Sequence, residues 1–526
     1  MSDMVRRSAR GSLILLIGQI SSTIVSALGA ILVARFLGST SYGHVTLVMI
    51  PVSIVGLFRD LGVTSALVRY IARYRAEGRT SEIQPLVRAG LFINLAVGAG
   101  LSLATFLLAG PLAVNLLHQP GLGLMIKVAS ADLIAHSLLM TSWAIFVGYE
   151  RMEFRSLTVI IYSLLKSSIA PLLVLLGYGT FGAVLGNITS ILVTGAIGVL
   201  TVAAVFLRNT APGESGLSHL EASRMLLSYG YPLFLSALLA GGVSQFYNFL
   251  IAVYTNAFTV GNYKAATNFF VLISFLTMPI ATVLFPLFSK LDARESSTLR
   301  LVFQNSVKYT SLITIPVSSV LIVLADQLVQ AIYGNSYQLA PLFLRLFVFN
   351  SLFVGIGNLT VDHFLNGQGR TKVTFLKNLL NLCIGTPLGL ALIPRFGIVG
   401  LLVTMIIAPK LGRIYCLIRI RRDFGFTVNW AASAKIYLSA GVAFLATSLL
   451  LVLLHHGIWV DLLIGGVVFL LVYVLMVATT GALERNDLQN LRNIMGTLGP
   501  FTPLFDAFIT MIEKLMSKTR PPQGRP

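Results

Sequence analysis

Leu57-Phe58-Arg59-Asp60-Leu61-Gly62-Val63-Thr64-Ser65-Ala66-Leu67-Val68-Arg69 sets an arginine beside an aspartate inside an apolar run. The run opens near His44 and closes at the basic cluster Arg69, Arg73 and Arg75. If it crosses a membrane, the pair is expensive. A charge at mid-bilayer costs several kcal/mol, so such groups face a protein interior or a water-filled path. The sequence on either side decides the matter.

Apolar runs of about 20 residues recur along the whole chain, each able to cross a hydrocarbon core of roughly 30 Å as a helix. Of 526 residues, 56% are hydrophobic and 11% charged, and the mean hydropathy is +0.85. A soluble domain carries about 25% charged residues. The expected fold is therefore an all-α polytopic membrane protein of about fourteen transmembrane helices. The spans open near Ser12, His44, Leu86, Leu122, Ser156, Phe181, Leu226, Tyr263, Gln304, Leu339, Thr374, Ile398, Ala432 and Leu462. The start, Met1 to Arg10 before an apolar run, imitates a signal peptide, but the run exceeds the roughly 7–15 residues of a signal core. It is read as the first span.

The net charge is +19, and its distribution reports topology rather than nucleic acid. All but seven of the 38 Lys and Arg residues fall in alternate connections: the N-terminal tail, Arg69–Arg88, Tyr149–Arg155, Arg208–Arg224, Lys290–Lys308, Gly367–Lys377, Lys410–Lys435 and the C-terminal tail. The opposite connections, such as Gly38–Gly43, Gly177–Thr180 and His455–Asp461, are short and nearly uncharged. By the positive-inside rule both termini and the basic connections are cytoplasmic, in a multi-pass protein of the cell membrane. The seven exceptions are Arg35, Arg59, Lys127, Lys166, Lys264, Arg345 and Arg395.

An internal repeat is visible. Tyr178-Gly179-Thr180-Phe181-Gly182 matches Phe396-Gly397-Ile398-Val399-Gly400, and Gly43, Phe146 and Lys127 match Gly261, Phe364 and Arg345, always 218 residues apart. Six spans are thus followed by six related ones, a parallel duplication of the sort that builds transporters with a path between their halves. The expected organisation is a six-helix lobe over 1–208, a cytoplasmic linker at 209–225, a second six-helix lobe over 226–422, two further transmembrane helices over 423–483, and a cytoplasmic tail over 484–526. Within that tail Leu488, Leu491, Ile494 and Met495 have helical spacing, as do Phe505, Phe508, Ile509 and Ile512. The basic end Lys514–Arg525 would meet anionic lipid.

No enzyme signature is present. There is no G-x-x-x-x-G-K-[ST] loop, no H-E-x-x-H pair and no ordered nucleophile motif. Cys383 and Cys416 lie in apolar runs without ligand-like spacing, so no metal, cofactor or disulfide framework is expected. What remains is intramembrane polarity. Read on one continuous helix, Arg59 and Asp60 point about 100° apart. Arg59 then either lines a solvated cavity or pairs near the inner leaflet. Asp132 and Lys166 reach similar depth on antiparallel neighbours and read as a buried pair. Lys127 and Arg345 are explained by snorkelling, as is Lys264 at the start of the eighth span. Gln19, Ser21, Ser22 and Ser26 interrupt the first span, and Ser244, Gln245, Tyr247 and Asn248 its counterpart, the seventh. They line a lumen or bond between helices. Asp60 and Asp132 read as the mid-membrane acids available for coupling to Na+ or H+.

Asp60-Leu61-Gly62-Val63-Thr64-Ser65-Ala66-Leu67-Val68-Arg69 resembles the second-helix signature of the polysaccharide-transport, or O-antigen flippase, family. Leu365-Asn366-Gly367-Gln368-Gly369-Arg370-Thr371-Lys372 and Ile393-Pro394-Arg395-Phe396-Gly397-Ile398-Val399-Gly400 resemble its C-terminal half. The resemblance covers roughly Ser8 to Arg422 and places the chain in the superfamily that also holds MATE exporters and lipid II flippases. It implies two six-helix lobes around a cavity lined by helices one, two, seven and eight. It also implies alternating-access movement of a polyprenyl-linked (pyro)phosphate oligosaccharide to the outer leaflet, alongside glycan-assembly enzymes. Arg59 and Lys264 would lie on cavity-facing helices, with Gln19, Gln245, Asn248, Arg345 and Lys127 as further substrate or cavity residues, and Asp60, Asp132 and Lys166 as gate or coupling residues. A cation-coupled MATE-like exporter would want a cavity richer in acids. A glycan polymerase or glycosyltransferase would want a large acidic outer loop.

Overall fold

The computed structural model describes residues 2–207, 217–291, 296–453, 457–483, 487–489, 510 and 513. The tail patterns at Leu491–Met495 and Phe505–Ile512, the basic end, residues 209–216 of the linker and His455–His456 lie outside the described residues. Described elements are helical, with no strand among them. In chain order the α-helices are α1 Ser2–Val55, α2 Val63–Ala76, α3 Ile83–Leu107, α4 Gly123–Ala129, α5 Ala131–Gly148, α6 Met152–Leu173, α7 Gly179–Thr201, α8 His219–Tyr254 and α9 Ala257–Asn268. They continue as α10 Phe270–Ser289, α11 Ser296–Val323, α12 Ala325–Tyr333, α13 Ala340–Phe349, α14 Thr360–Gly367, α15 Thr371–Phe424, α16 Trp430–Leu453 and α17 Ile458–Thr480.

Ten helical segments among the described residues are long and apolar enough to cross a membrane, or eleven if the bent pair Ala340–Ile356 and Thr360–Gly367 forms one span. Three are far longer than one crossing needs: Gly18–Phe58, Met152–Phe206 and Thr371–Phe424, of 41, 55 and 54 residues. Each contains a glycine with positive φ, at Gly38, Gly177 and Gly397 respectively. L-residues with a Cβ rarely adopt that conformation, so the glycine lets one apolar run turn back as two spans. Fourteen spans are compatible with this division. The chain is a multi-pass membrane protein.

The backbone carries the repeat as well. Gly179 has φ 52° and ψ −134°, and its counterpart Gly397 has φ 55° and ψ −130°. Phe146 and Phe364, also counterparts, are both fully buried. Each centres an aromatic cluster: Phe146 with Phe154 and Phe206, and Phe364 with Phe288, Phe303 and Phe426.

Two compact units divide the chain, one comprising Met1–Val271 with Gly389–Leu401 and the other Leu272–Leu388 with Leu402–Pro526. In the first unit α1 packs along α6, where small residues let the backbones approach. Ser156 Oγ donates to Ile14 O at 3.1 Å and Ser167 Oγ to Val25 O at 2.8 Å, and a Cβ on Gly18 or Gly29 would overlap those serines. Ser22 is buried against Val159 O in the same seam, so it bonds between helices rather than lining a lumen. The core of this unit runs through Leu67, Ile71, Leu86, Ile145 and Phe146. The second unit has a core of α11, α16 and α17 side chains, including Ile315, Ile436, Phe469 and Tyr473, beside the Phe364 cluster.

Arg59-Asp60 does not lie in a continuous helix. The α1 helix ends at Val55, a 3-10 turn covers Gly56–Phe58, and α2 starts only at Val63. Gly62 adopts φ +81°, and a Cβ there would overlap the carbonyl oxygen of Gly230 on α8. Backbone meets backbone, which only glycine permits. Asp60 turns to the new helix start: Oδ1 accepts from Thr64 N at 3.2 Å, and Oδ2 accepts from Thr64 Oγ1. That satisfies an N–H with no intrahelical partner.

Candidate substrate site

The break puts Arg59 at the head of a group of charges in the first unit. It is half-buried and lies within electrostatic reach of Asp132 and Asp60. Asp132, near the start of α5, is buried, and its Oδ2 is 2.9 Å from His136 Nδ1 one turn along the same helix. Lys166, on α6, is also within reach of Asp132, but the expected Asp132–Lys166 ion pair does not form; the carboxylate's close partner is His136. Lys166 Nζ instead sits 5.7 Å from the centre of the Tyr162 ring. Lys264, on α9, is exposed and within electrostatic reach of Lys166.

Arg59 and Lys166 thus share the field of Asp132, with Lys264 near Lys166. Asp60 bonds to a helix start, and Asp132 reaches histidine through Oδ2 while its Oδ1 is buried without a hydrogen-bond partner among the described residues. Among the described residues, Arg59, Lys166 and Lys264 form no ion pair. Unpaired charge inside a membrane protein is costly and marks a path for ions or substrate. Such a group attracts an anion that brings its own negative charge. Arg59 offers the planar fork suited to phosphate oxygens, and the lysines act as point charges.

The polar groups expected on the seventh span bond onto the second. Gln245 Oε1 accepts from Ser53 Oγ at 2.9 Å and from Asn248 Nδ2 at 3.0 Å. The two segments also meet through Phe58–Phe234, through Arg69 stacked 4.4 Å from the Tyr229 ring centre, and through Leu57 against Gly241. Further along, Gly43 and Gly261 pack face to face: a Cβ on Gly43 would overlap Ala257 O, and one on Gly261 would overlap Ser39 O. Tyr42 Oη accepts from Asn268 Nδ2 at 3.1 Å nearby. Gln19 is exposed on α1. Lys127 lies 5.5 Å from the Phe106 ring centre, outside the cation group. Arg345 belongs to the second unit, where it pairs with Asp326 and donates to Ile322 O.

Sequence reasoning missed two members, His136 and Tyr162. Their signal was the helical spacing Asp132/His136 and Tyr162/Lys166, four residues each on neighbouring helices. It also missed a third acid inside the helices. Asp362, on α14 in the second unit, binds Lys377 Nζ through both oxygens at 2.9 Å and Arg413 Nη2 at 3.2 Å. Lys377 and Arg413 are buried, not loop charges as the positive-inside count treats them.

Residues 32–340 match the family described as polysaccharide biosynthesis protein. The chain belongs to the polysaccharide biosynthesis protein family. Residues 231–474 also match the description lipid II flippase MurJ. Both agree with the resemblance carried by the motifs at Asp60–Arg69 and Leu365–Lys372. Among relatives, an uncharacterized membrane protein of Methanocaldococcus jannaschii is 20% identical over 67% of this chain and 72% of its own length. A probable flippase, AglR of Haloferax volcanii, is 25% identical over 63% of this chain and 67% of its own. Among solved structures, lipid II flippase MurJ in an inward closed conformation superposes with a TM-score of 0.67 at 16% identity, covering 89% of this chain and 98% of that one. At that identity the likeness is one of fold.

Proposed function

We propose that this family member is a flippase that moves a polyprenyl-linked (pyro)phosphate oligosaccharide across the cell membrane by alternating access of two six-helix lobes, for surface polysaccharide or glycan assembly. The observation that carries the reading is the group Arg59, Lys166 and Lys264, which holds positive charge inside the helices without an ion pair among the described residues and which, on this reading, lines the substrate recess. A sugar-phosphate head cannot cross hydrocarbon unaided, whereas its polyisoprenoid tail can stay in lipid. The head's anionic phosphates would supply the charge that the recess lacks, through charge-assisted hydrogen bonds. The named relatives, a probable flippase and a lipid II flippase, support the same class of cargo, with a transporter's role rather than an enzyme's.

In this reading both termini are cytoplasmic, by the charge asymmetry of the connections. Asp132 with His136 is the pair placed to exchange a proton or cation with Lys166 as substrate enters. The excess of positive charge in the recess disfavours a MATE-like exporter of cationic compounds. Leaflet-resolved accessibility of a lipid-linked oligosaccharide, measured in proteoliposomes, tests the proposal. Wild type should translocate it and Arg59→Gln should do so at least tenfold more slowly, the scale of one charge-assisted contact. Failure of wild type to move any polyprenyl-linked glycan would sink the reading, and full activity of Arg59→Gln would remove Arg59 from the site.

A further inference from the structure

A basic cavity lies in the second compact unit, where the chain leaves α15 and enters α16. Its volume is about 480 Å3, and its walls are Arg300 and Gln304 of α11, Arg421 at the end of α15, and the connection from Gly425 to Trp430. Gly425, at φ +76°, ends the long helix. The connection is anchored: Phe426 and Val428 are buried in the aromatic cluster around Phe364, and Gln304 Nε2 donates to Thr427 O at 2.9 Å. Asn429 Oδ1 accepts from Ala432 N at 3.1 Å and so caps α16. The cavity is therefore held open by fixed elements.

Among the described residues its charge is uncompensated. Arg300 and Arg421 are both exposed, and neither makes an ion pair among the described residues. The acid next in sequence to that end of α15, Asp423, pairs with Arg419 at 3.4 Å. Within the connection, no acceptor among the described residues faces the backbone N–H groups of Phe426, Thr427 and Val428. Two guanidinium forks beside a cavity of this size match a phosphate group.

The surroundings say which phosphate. The connection joins two membrane spans, so the cavity lies at a membrane surface. Trp430, 54% exposed at its rim, has the side chain that prefers the headgroup level. Arg421 also continues a stripe of exposed apolar residues at helical spacing, Leu411, Ile414 and Ile418, leading from the cavity into the apolar zone. A soluble phosphate would use none of these features. A phospholipid would use all of them, with its phosphate between the arginines and its acyl chains along the stripe. We infer that this cavity binds the headgroup of an anionic glycerophospholipid, apart from the cation group around Arg59. Basic recesses between span ends are a recognised mode of anionic lipid binding.

The test counts phosphatidylglycerol retained by the full-length protein, released from mixed phosphatidylglycerol/phosphatidylcholine nanodiscs, by native mass spectrometry. Retention should fall roughly five- to tenfold for Arg300→Gln and again for Arg421→Gln. Equal retention by wild type and the folded double variant overturns the inference. An arm on wild type guards against misfolding. Brominated phosphatidylglycerol should quench the Trp430 fluorescence, defined by difference from Trp430→Phe, more than brominated phosphatidylcholine does; equal quenching overturns it. Inorganic phosphate and glycerol 3-phosphate, at the headgroup concentration, should leave the bound lipid in place. Displacement by either assigns the cavity to a soluble phosphate and overturns the lipid reading.

Discussion

Each compact unit holds buried charge, and the two treat it in opposite ways. In the second, Asp362 takes both Lys377 and Arg413, so each of these cations has a carboxylate at contact distance. In the first, Arg59, Lys166 and Lys264 make no such contact, and the nearby carboxylates bond to Thr64 and His136. Desolvation penalises both arrangements, and direct contact with a carboxylate offsets it only in the second. On the proposed reading, the paired group is structural and the unpaired one meets the substrate.

The sharpest way to break this comparison is at Asp362. Asp362→Asn strands two buried cations and should destabilise the protein by about 3–5 kcal/mol, read as a large drop in melting temperature in detergent. A mild effect would mean that the triad is not structural. Next comes the backbone contact between Gly62 and Gly230 beside Arg59. Gly62→Ala forces a Cβ into a left-handed conformation and against Gly230 O, so it should cost about 2 kcal/mol in thermal unfolding and slow translocation too.

Lys264→Met tests the opposite sign. Removing one of two neighbouring like charges should leave the melting temperature unchanged or raise it, while translocation falls about tenfold for a lost contact. Lower stability together with normal transport would make the group structural. The smallest effect is expected at Arg345→Gln. Arg345 and Asp326 have side chains 38% and 58% exposed, so the change should stay within about 0–1 kcal/mol, with transport intact by the same leaflet assay.

The helical class was legible because a bilayer demands long apolar runs, and the repeat was legible because Gly179 and Gly397 must both take the same unusual backbone turn. The break at Arg59–Gly62 was not. Asp60 and Gly62 are ordinary helix-start and helix-stop residues, but they stand inside one apolar run, and the contact that requires the break is made by Gly230, some 170 residues away in sequence. The buried triad hid for a related reason. Lys377 and Arg413 stand in basic stretches, and a count of loop charges cannot separate a lysine facing water from one facing Asp362. Within the cation group, Arg59 and Lys264 were found by their exception to the charge pattern, whereas His136 and Tyr162 needed their helical neighbours to be read as pairs.

The facing glycines, Gly43 and Gly261, have a mechanical consequence. Where they touch, the two backbones press together with no side chain between them. Attraction of that kind is short-ranged, and much of it vanishes when the surfaces part by even 1 Å. Parting there would strand no side-chain hydrogen bond at the glycines themselves, and the Tyr42–Asn268 bond beside them could pass to water. The seam therefore works as a snap fastener: shut firmly or fully free, with little held in between.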